Sequence, residues 1–279
     1  MRLVTFFTPA GLRAGRVDGE DVVELDAPDV GALLASGADW RQRAAGGDGG
    51  RQPLAQVRLA PVVPAPSKII CVGMNYQSHI DETRRDRPTH PSYFAKFARA
   101  LIGPYDPITL PAVSKKVDWE AELGVLIGSP ARHLAEADAE RHIAGMTVVN
   151  DVSVRDWQRR TSQFLAGKTF EGSTPVGPAL VTLDEVPDGG RDLAVTCEID
   201  GRLMQSGRTS ELLFGAAELI ADLTTILTLD PGDLIVTGTP AGVGAVRKPP
   251  VFLQPGQVVR TAIEGVGELV NTCVAEQIP

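Results

Sequence analysis

Asp118-Trp119-Glu120-Ala121-Glu122-Leu123-Gly124-Val125-Leu126-Ile127-Gly128 reads as a β-strand, because the apolar run Leu123, Val125, Leu126, Ile127 closes at Gly128. Side chains two apart in a strand share a face, so Glu120 and Glu122 aim two carboxylates at one spot. Like charges that close repel unless a cation lies between them or one carboxylate takes up a proton. A second apolar run, Met146-Thr147-Val148-Val149-Asn150, leads straight into Asp151. Glu120, Glu122 and Asp151 together offer three hard oxygen ligands, a set suited to Mg²⁺ or Mn²⁺ with water or substrate in the remaining positions. A Glu-x-Glu pair on the solvent face of a half-exposed strand is common and carries no chemistry, so the metal reading rests on what accompanies the pair.

The 279 residues suffice for one large domain, or for one domain with a small appendage. Hydrophobic residues at 43% and charged residues at 22% are ordinary for a globular protein. A net charge of −8 and a pI near 5.1 argue against nucleic acid or an anionic membrane as partner, since both need a basic face. The one basic cluster, Arg84-Arg85-Asp86-Arg87, is short, interrupted by an acid, and reads as a solvated loop, the lesser alternative being an Arg that meets an anionic substrate. Cys71, Cys197 and Cys273 show no Cys-x-x-Cys spacing, which suits a reducing compartment; a cytoplasmic protein is expected. The apolar run near Met1 is too short for a signal-peptide core, and no segment has the length to span a membrane.

Residues 1–65 read as a small N-terminal α/β module. Strand-like runs at Leu3–Phe7, Leu12–Val17 and Val22–Leu25 are separated by turns, and Asp29 is placed to cap a helix through Leu33 and Leu34. The Gly-rich stretch 45–50 and then Pro61, Pro64 and Pro66 read as a flexible segment followed by a stiff linker. Residues 66–279 form the expected catalytic domain, opening on a strand at Lys68–Gly73. Asp200-Gly201 marks a hairpin tip, and Leu212–Leu229 shows helical spacing with Ser210 as its cap. Leu234–Thr237 reads as a strand entering the turn Gly238-Thr239-Pro240. The fold class is mostly β (α+β), its strands rolled or packed as a sandwich.

His79 and Glu82 are three residues apart, so on a helical turn their side chains meet. A carboxylate beside an imidazole orients it and raises its basicity, as a general base requires. From spacing alone a solvated loop histidine with incidental neighbours is the better reading. Gly167-Lys168-Thr169 lacks the earlier glycine and the following helix of a phosphate-binding loop. Lys168 is exposed in an ordinary reading; beside a metal site it would stabilise a developing enolate or carboxylate. No Gly-x-Ser-x-Gly elbow and no Cys–His pairing support a covalent mechanism.

Six motifs in order carry a resemblance over about residues 66–279. They are Gly73-Met74-Asn75-Tyr76 with His79 and Glu82, Tyr93-Phe94-Ala95-Lys96, Glu120-Ala121-Glu122-Leu123-Gly124, Asn150–Asp156, Gly167-Lys168-Thr169-Phe170, and Thr237–Gly244. Together they resemble the fumarylacetoacetate hydrolase family. The resemblance implies a mixed β-sandwich roll and a divalent ion, Mg²⁺ or Mn²⁺, on Glu120, Glu122 and Asp151. It further implies Lys168 at the substrate's enolate or keto oxygen, Gln158, Thr239 and Gly238 facing the substrate, and His79 with Glu82 on a segment that closes over the site. Arg155 and Lys96 carry over less strongly, as substrate contact or as ion pair. A homodimer is implied as well.

Two departures stand out: Lys96-Phe97 replaces the usual Lys-Pro, and no fourth carboxylate ligand is evident, so water would complete the metal's sphere. Family members cleave acylpyruvates, decarboxylate 2-oxo diacids, or shift enol and keto double bonds. The first expectation is a metal-dependent hydrolase cutting a C–C bond in a β-diketo or acylpyruvate-type acid. The alternative is a decarboxylase or tautomerase on the same site. A non-catalytic binding protein would be expected to have lost a ligand or Lys168, and both are kept.

Overall fold

A computed structural model describes residues 1–278. Two sheets face one another. The larger has eleven strands and runs, edge to edge, Arg51–Pro53, Asp21–Glu24, Gly11–Asp18, Arg2–Thr8, Thr174–Thr182, Ile143–Asn150, Ala121–Ile127, Leu234–Val236, Ile69–Gly73 and Ser92–Lys96, with Leu101–Ile102 beside Thr174–Thr182. The smaller has five: Arg202–Arg208, Ala194–Ile199, Val258–Ile263, Gly267–Ala275 and Ile108–Leu110. The first core lies between them, where Leu123, Met146, Val148 and Val181 of the large sheet meet Val195, Cys197, Val259 and Leu269 of the small one. The expected mostly β sandwich is thus present.

Alternation along Ala121–Ile127 decides what each face of the large sheet meets. Leu123 enters the inter-sheet core, while Val125 and Ile127 pack under the helix Ala216–Ile226 with its Leu219, Ile220 and Leu223. On the opposite face Leu126 joins a core with Leu33, Leu34 and Trp40 from the helices Val30–Ala35 and Trp40–Gly46. Every residue of this strand is buried. A strand covered on both faces has no solvent side on which to put a carboxylate, which removes the ordinary reading of Glu-x-Glu here.

The N-terminal strands continue the large sheet, since Arg2–Thr8 pairs antiparallel with Thr174–Thr182 through Leu3 opposite Leu180. Asp29 caps its helix as expected, its carboxylate accepting from the Ala32 N–H at 2.8 Å. The stretch expected as a linker is packed: Val62 and Val63 are buried in the second core.

One helix differs from its expected span. It covers Ala216–Ile226 rather than Leu212–Leu229, and Gly215 stands at its N-cap. The Ser210 hydroxyl donates instead to Asp192. Leu212 and Leu213 have periodic spacing but pair with another segment, the Leu213 N–H donating to the Asn75 carbonyl at 2.9 Å.

Candidate active site

The register of two neighbouring strands assembles the carboxylates. Ala121–Ile127 pairs antiparallel with Ile143–Asn150, placing Ala121 opposite Asn150 and Glu122 opposite Val149. The Asp151 N–H then donates to the Glu120 carbonyl at 2.8 Å, holding Asp151 where the strand ends. One oxygen from each of Glu120, Glu122 and Asp151 lies within 4.8 Å of the others, and all three residues are buried.

Cations surround two of the three. Lys96 Nζ donates to Asp151 Oδ1 at 2.6 Å, and Lys168 Nζ to Asp151 Oδ2 at 2.7 Å. Lys168 also pairs with Glu120, whose other oxygen meets Arg155 Nη1 at 2.7 Å. Lys96, expected as a weaker member of the site, is therefore a fully buried partner of Asp151. Glu122 differs. Its partner is the Gly238 N–H, at 2.5 Å, and among the described residues no side-chain cation pairs with it.

Electrostatics follow from this asymmetry. Burial would raise the Glu120 carboxyl, but Lys168 and then Arg155 overcome it and hold the group far below the usual carboxylate range. Burial, then the like charges of Asp151 and Glu120, push Glu122 well above that range, against a smaller pull from Lys168 and the Gly238 N–H. Burial would lower Lys168, yet Asp151 and Glu120 hold its ammonium above the ordinary lysine value. The two carboxylates thus favour the protonated, hydrogen-bond-donating form of Lys168.

The donor set fits a divalent ion. It is all oxygen, buried, and carries one carboxylate whose missing counter-charge such an ion would supply.

A cleft of roughly 890 Å³ opens over this cluster. His79, Glu82, Glu120, Glu122, Arg155, Gln158, Lys168 and Thr239 all line it. Asp151 lies behind Lys168 and Lys96, fully buried. Lys168 ends the short helix Leu165–Lys168, which packs tightly on Gln158: a Cβ at Gly167 would come within 2.4 Å of the Gln158 nitrogen. Thr239 is fixed by two bonds, its hydroxyl donating to the Ala121 carbonyl at 2.9 Å and accepting from Gln205 Nε2 at 2.8 Å. Gly238, expected at the substrate, does not line the cleft; its left-handed φ of +103° turns its N–H onto Glu122.

His79 and Glu82 sit on the helix Gln77–Thr83, Nδ1 and Oε1 2.7 Å apart. The other Glu82 oxygen accepts from the Gly242 N–H at 3.0 Å, so the helix is folded against the Ala241–Gly242 turn. With Nδ1 engaged by Glu82, Nε2 is the nitrogen left for proton transfer.

Two residues at the site escaped the sequence reading. Gln205 is buried and bridges the Ala121 N–H to Thr239 and Pro240. Asp118 is buried beside Arg155, its Oδ2 2.7 Å from Nε. The parity that picked out Glu120 and Glu122 applies equally to Asp118, two positions earlier.

Known proteins resemble this chain in sequence and in fold. The family model described as fumarylacetoacetate (FAA) hydrolase C-terminal matches residues 68–274, and one described as Rv2993c-like, N-terminal matches residues 1–61. The human mitochondrial oxaloacetate tautomerase FAHD2A is 46% identical over 224 residues, which are 80% of this chain and 71% of that protein. Among solved structures, the fumarylacetoacetate hydrolase of Exiguobacterium antarcticum is 33% identical with a TM-score of 0.87, covering 99% of this chain and 100% of that one. The 5-carboxymethyl-2-hydroxymuconate delta-isomerase of Mycobacterium smegmatis is 34% identical with a TM-score of 0.83, at the same coverage. No helix among the described residues is long and apolar enough to cross a membrane.

Proposed function

The chain belongs to the fumarylacetoacetate hydrolase family, and we propose that it interconverts the enol and keto forms of a 2-oxo dicarboxylic acid of the oxaloacetate type. One observation carries the reading. A buried carboxylate trio, short of one counter-charge at Glu122, sends Glu120 and Glu122 to a cleft that also holds the His79–Glu82 pair. The sequence reading puts hydrolysis first; the 46% identity to an oxaloacetate tautomerase over four-fifths of the chain supports placing tautomerisation ahead of it.

A divalent ion held by Glu120, Glu122 and Asp151 would chelate the 2-oxo carboxylate and acidify the neighbouring carbon. The chain's own residues do the rest. His79 Nε2 takes the proton from the carbon next to the 2-oxo group, and Glu82 stabilises the imidazolium through Nδ1. The electron pair moves into the new C=C bond, and charge develops on the former carbonyl oxygen. Lys168, held protonated by Asp151 and Glu120, offsets that charge. Return of the proton to oxygen gives the enol, and the reverse path gives the ketone; no water is consumed. Arg155 lines the cleft as a guanidinium donor for a substrate carboxylate, with Gln158 and Thr239 also in the lining.

A second reading, hydrolytic C–C cleavage of an acylpyruvate, is favoured by the same pair, since a carboxylate-supported histidine also suits activation of water. The decisive assay offers Mg²⁺-loaded protein the enol form of oxaloacetate and, separately, acetylpyruvate. Loss of enol absorbance without cleavage is expected. Conversion of acetylpyruvate to acetate and pyruvate faster than enol decay would install the hydrolase instead, and carbon dioxide release from oxaloacetate would install a decarboxylase. A cytoplasmic setting suits the three buried free cysteines. A homodimer rests on family likeness, and sedimentation of the intact chain tests it.

A further inference from the structure

Asp118 belongs neither to the carboxylate trio nor to the cleft lining, yet four donors converge on it. Oδ1 accepts from the Trp119 N–H at 2.9 Å and the Gly244 N–H at 2.7 Å. Oδ2 accepts from the Ala245 N–H at 2.9 Å and Arg155 Nε at 2.7 Å. The residue is fully buried. A short two-stranded ladder, Ser153 opposite Asp118 and Val154 opposite Val117, brings it beside Arg155.

Two walls of the cleft hang on this one carboxylate. Arg155, Gln158 and Arg159 line one side; Val243, Ala245, Val246 and Lys248 line another. Asp118 grips the first through the Arg155 guanidinium and the second through two successive backbone amides. Gly244 is required for the second grip, because a Cβ there would meet the Val251 carbonyl oxygen at 1.9 Å and Asp118 Oδ1 at 2.8 Å.

The guanidinium is planar, so fixing two of its nitrogens aims the third. Asp118 fixes Nε, while Glu120 and Gln158 engage Nη1. Nη2 remains, buried and without a partner among the described residues. A buried donor left unmade is costly unless a ligand completes it. We propose that Asp118 is a positioning residue: it fixes the Arg155 guanidinium at the cleft wall for the substrate's carboxylate and ties it to the Val243–Lys248 wall. This rests on the proposed 2-oxo acid function, because the anion it serves is that substrate's.

Asparagine in place of Asp118 would turn an N–H₂ toward donors that need an acceptor. The test is a double-mutant cycle of Asp118→Asn and Arg155→Ala. Its readout is calorimetric affinity for oxalate, which carries the adjacent oxygens of a 2-oxo carboxylate, at saturating Mg²⁺. Asp118→Asn is expected to weaken oxalate about 10- to 100-fold in the parent chain, and less than about twofold when Arg155 is already alanine. With oxaloacetate the loss should appear in KM more than in kcat. Equal losses in both backgrounds, or none in the parent, overturn the inference; a merely structural carboxylate would give the first of these.

Should Asp118→Asn fail to give a cooperative melt, Asp118→Glu keeps the charge, displaces the oxygens, and runs the same cycle. Oxalate binding by the parent without turnover of any 2-oxo acid would end the functional reading while leaving the cycle to judge Asp118. No oxalate binding by the parent would overturn the role of Asp118 itself.

Discussion

The two ends of the strand Ala121–Ile127 are equally buried and opposite in content. At one end Leu126 packs among Leu33, Leu34 and Trp40. At the other, on the same face, Glu122 and its neighbour Glu120 meet Asp151, Lys168 and Arg155. Burying apolar surface stabilises a fold directly, whereas buried charges recover their desolvation cost only with excellent partners. Leu126 is thus what stability asks of a buried strand position. Glu122, raised above the carboxylate range and without a cationic side chain, is what stability alone would remove. The contrast sets the candidate metal site at one end of a single strand.

Exchanging Glu122 for Gln should break the contrast most visibly. The amide keeps an acceptor for the Gly238 N–H but loses the charge that a divalent ion needs. Turnover should fall by roughly a thousandfold or more. Thermal unfolding of the metal-free protein should hold steady or move upward, because a buried carboxyl whose ionisation its surroundings oppose is replaced by a neutral amide. A drop in metal-free melting temperature with activity retained would place Glu122 on the stability side.

His79→Ala should come next, lowering enol–keto interconversion about a hundred- to a thousandfold through loss of the base, with metal binding intact. Stopped-flow loss of enol absorbance reads this. A rate unchanged within twofold would dismiss the pair as a surface contact. Lys168→Ala should cost roughly a hundredfold in kcat, the scale of one lost charge-stabilising donor. Calorimetric Mg²⁺ affinity in the same variant should stay close to the parent's. Loss of metal binding instead would make Lys168 an architectural ion pair of Glu120 and Asp151.

Leu126→Ala sharpens the comparison from the other end. It should cost about 2–5 kcal/mol of unfolding free energy. The kcat of the folded fraction should remain within about twofold of the parent, as additivity at separated sites implies. Denaturant melts beside steady-state assays measure both, and a large kcat loss would show that the two ends are coupled.

Much of this was legible from local pattern. Period-two alternation put Glu120 and Glu122 on one face, and the neighbouring apolar run delivered Asp151 to the same place. The i, i+3 spacing of His79 and Glu82 by itself favours a solvated loop histidine; the two pair because the segment is helical. What local pattern does not contain is the partner across space. Leu3 pairs with Leu180, and nothing near either residue names the other. The packed stretch at Val62 and Val63 reads as linker from its prolines because its burial comes from helices elsewhere in the chain. The helix at Ala216–Ile226 was drawn too long because Leu212 and Leu213 continue its spacing while serving a bridge to Asn75 and Tyr76. Asp118 went unread because an acid beside a tryptophan at a strand's start has no local mark of its four donors.

The account stands on the carboxylate trio holding a divalent ion that turnover requires. Chelator-stripped protein should be titrated with Mn²⁺, with bound ion counted by electron paramagnetic resonance and oxaloacetate enol decay followed in the same samples. Activity is expected to be absent in the stripped protein, to rise in proportion to occupancy, and to saturate at one ion per chain, with Glu122→Gln showing neither tight binding nor activity. Full turnover by protein shown to be free of metal, in excess chelator, would contradict it.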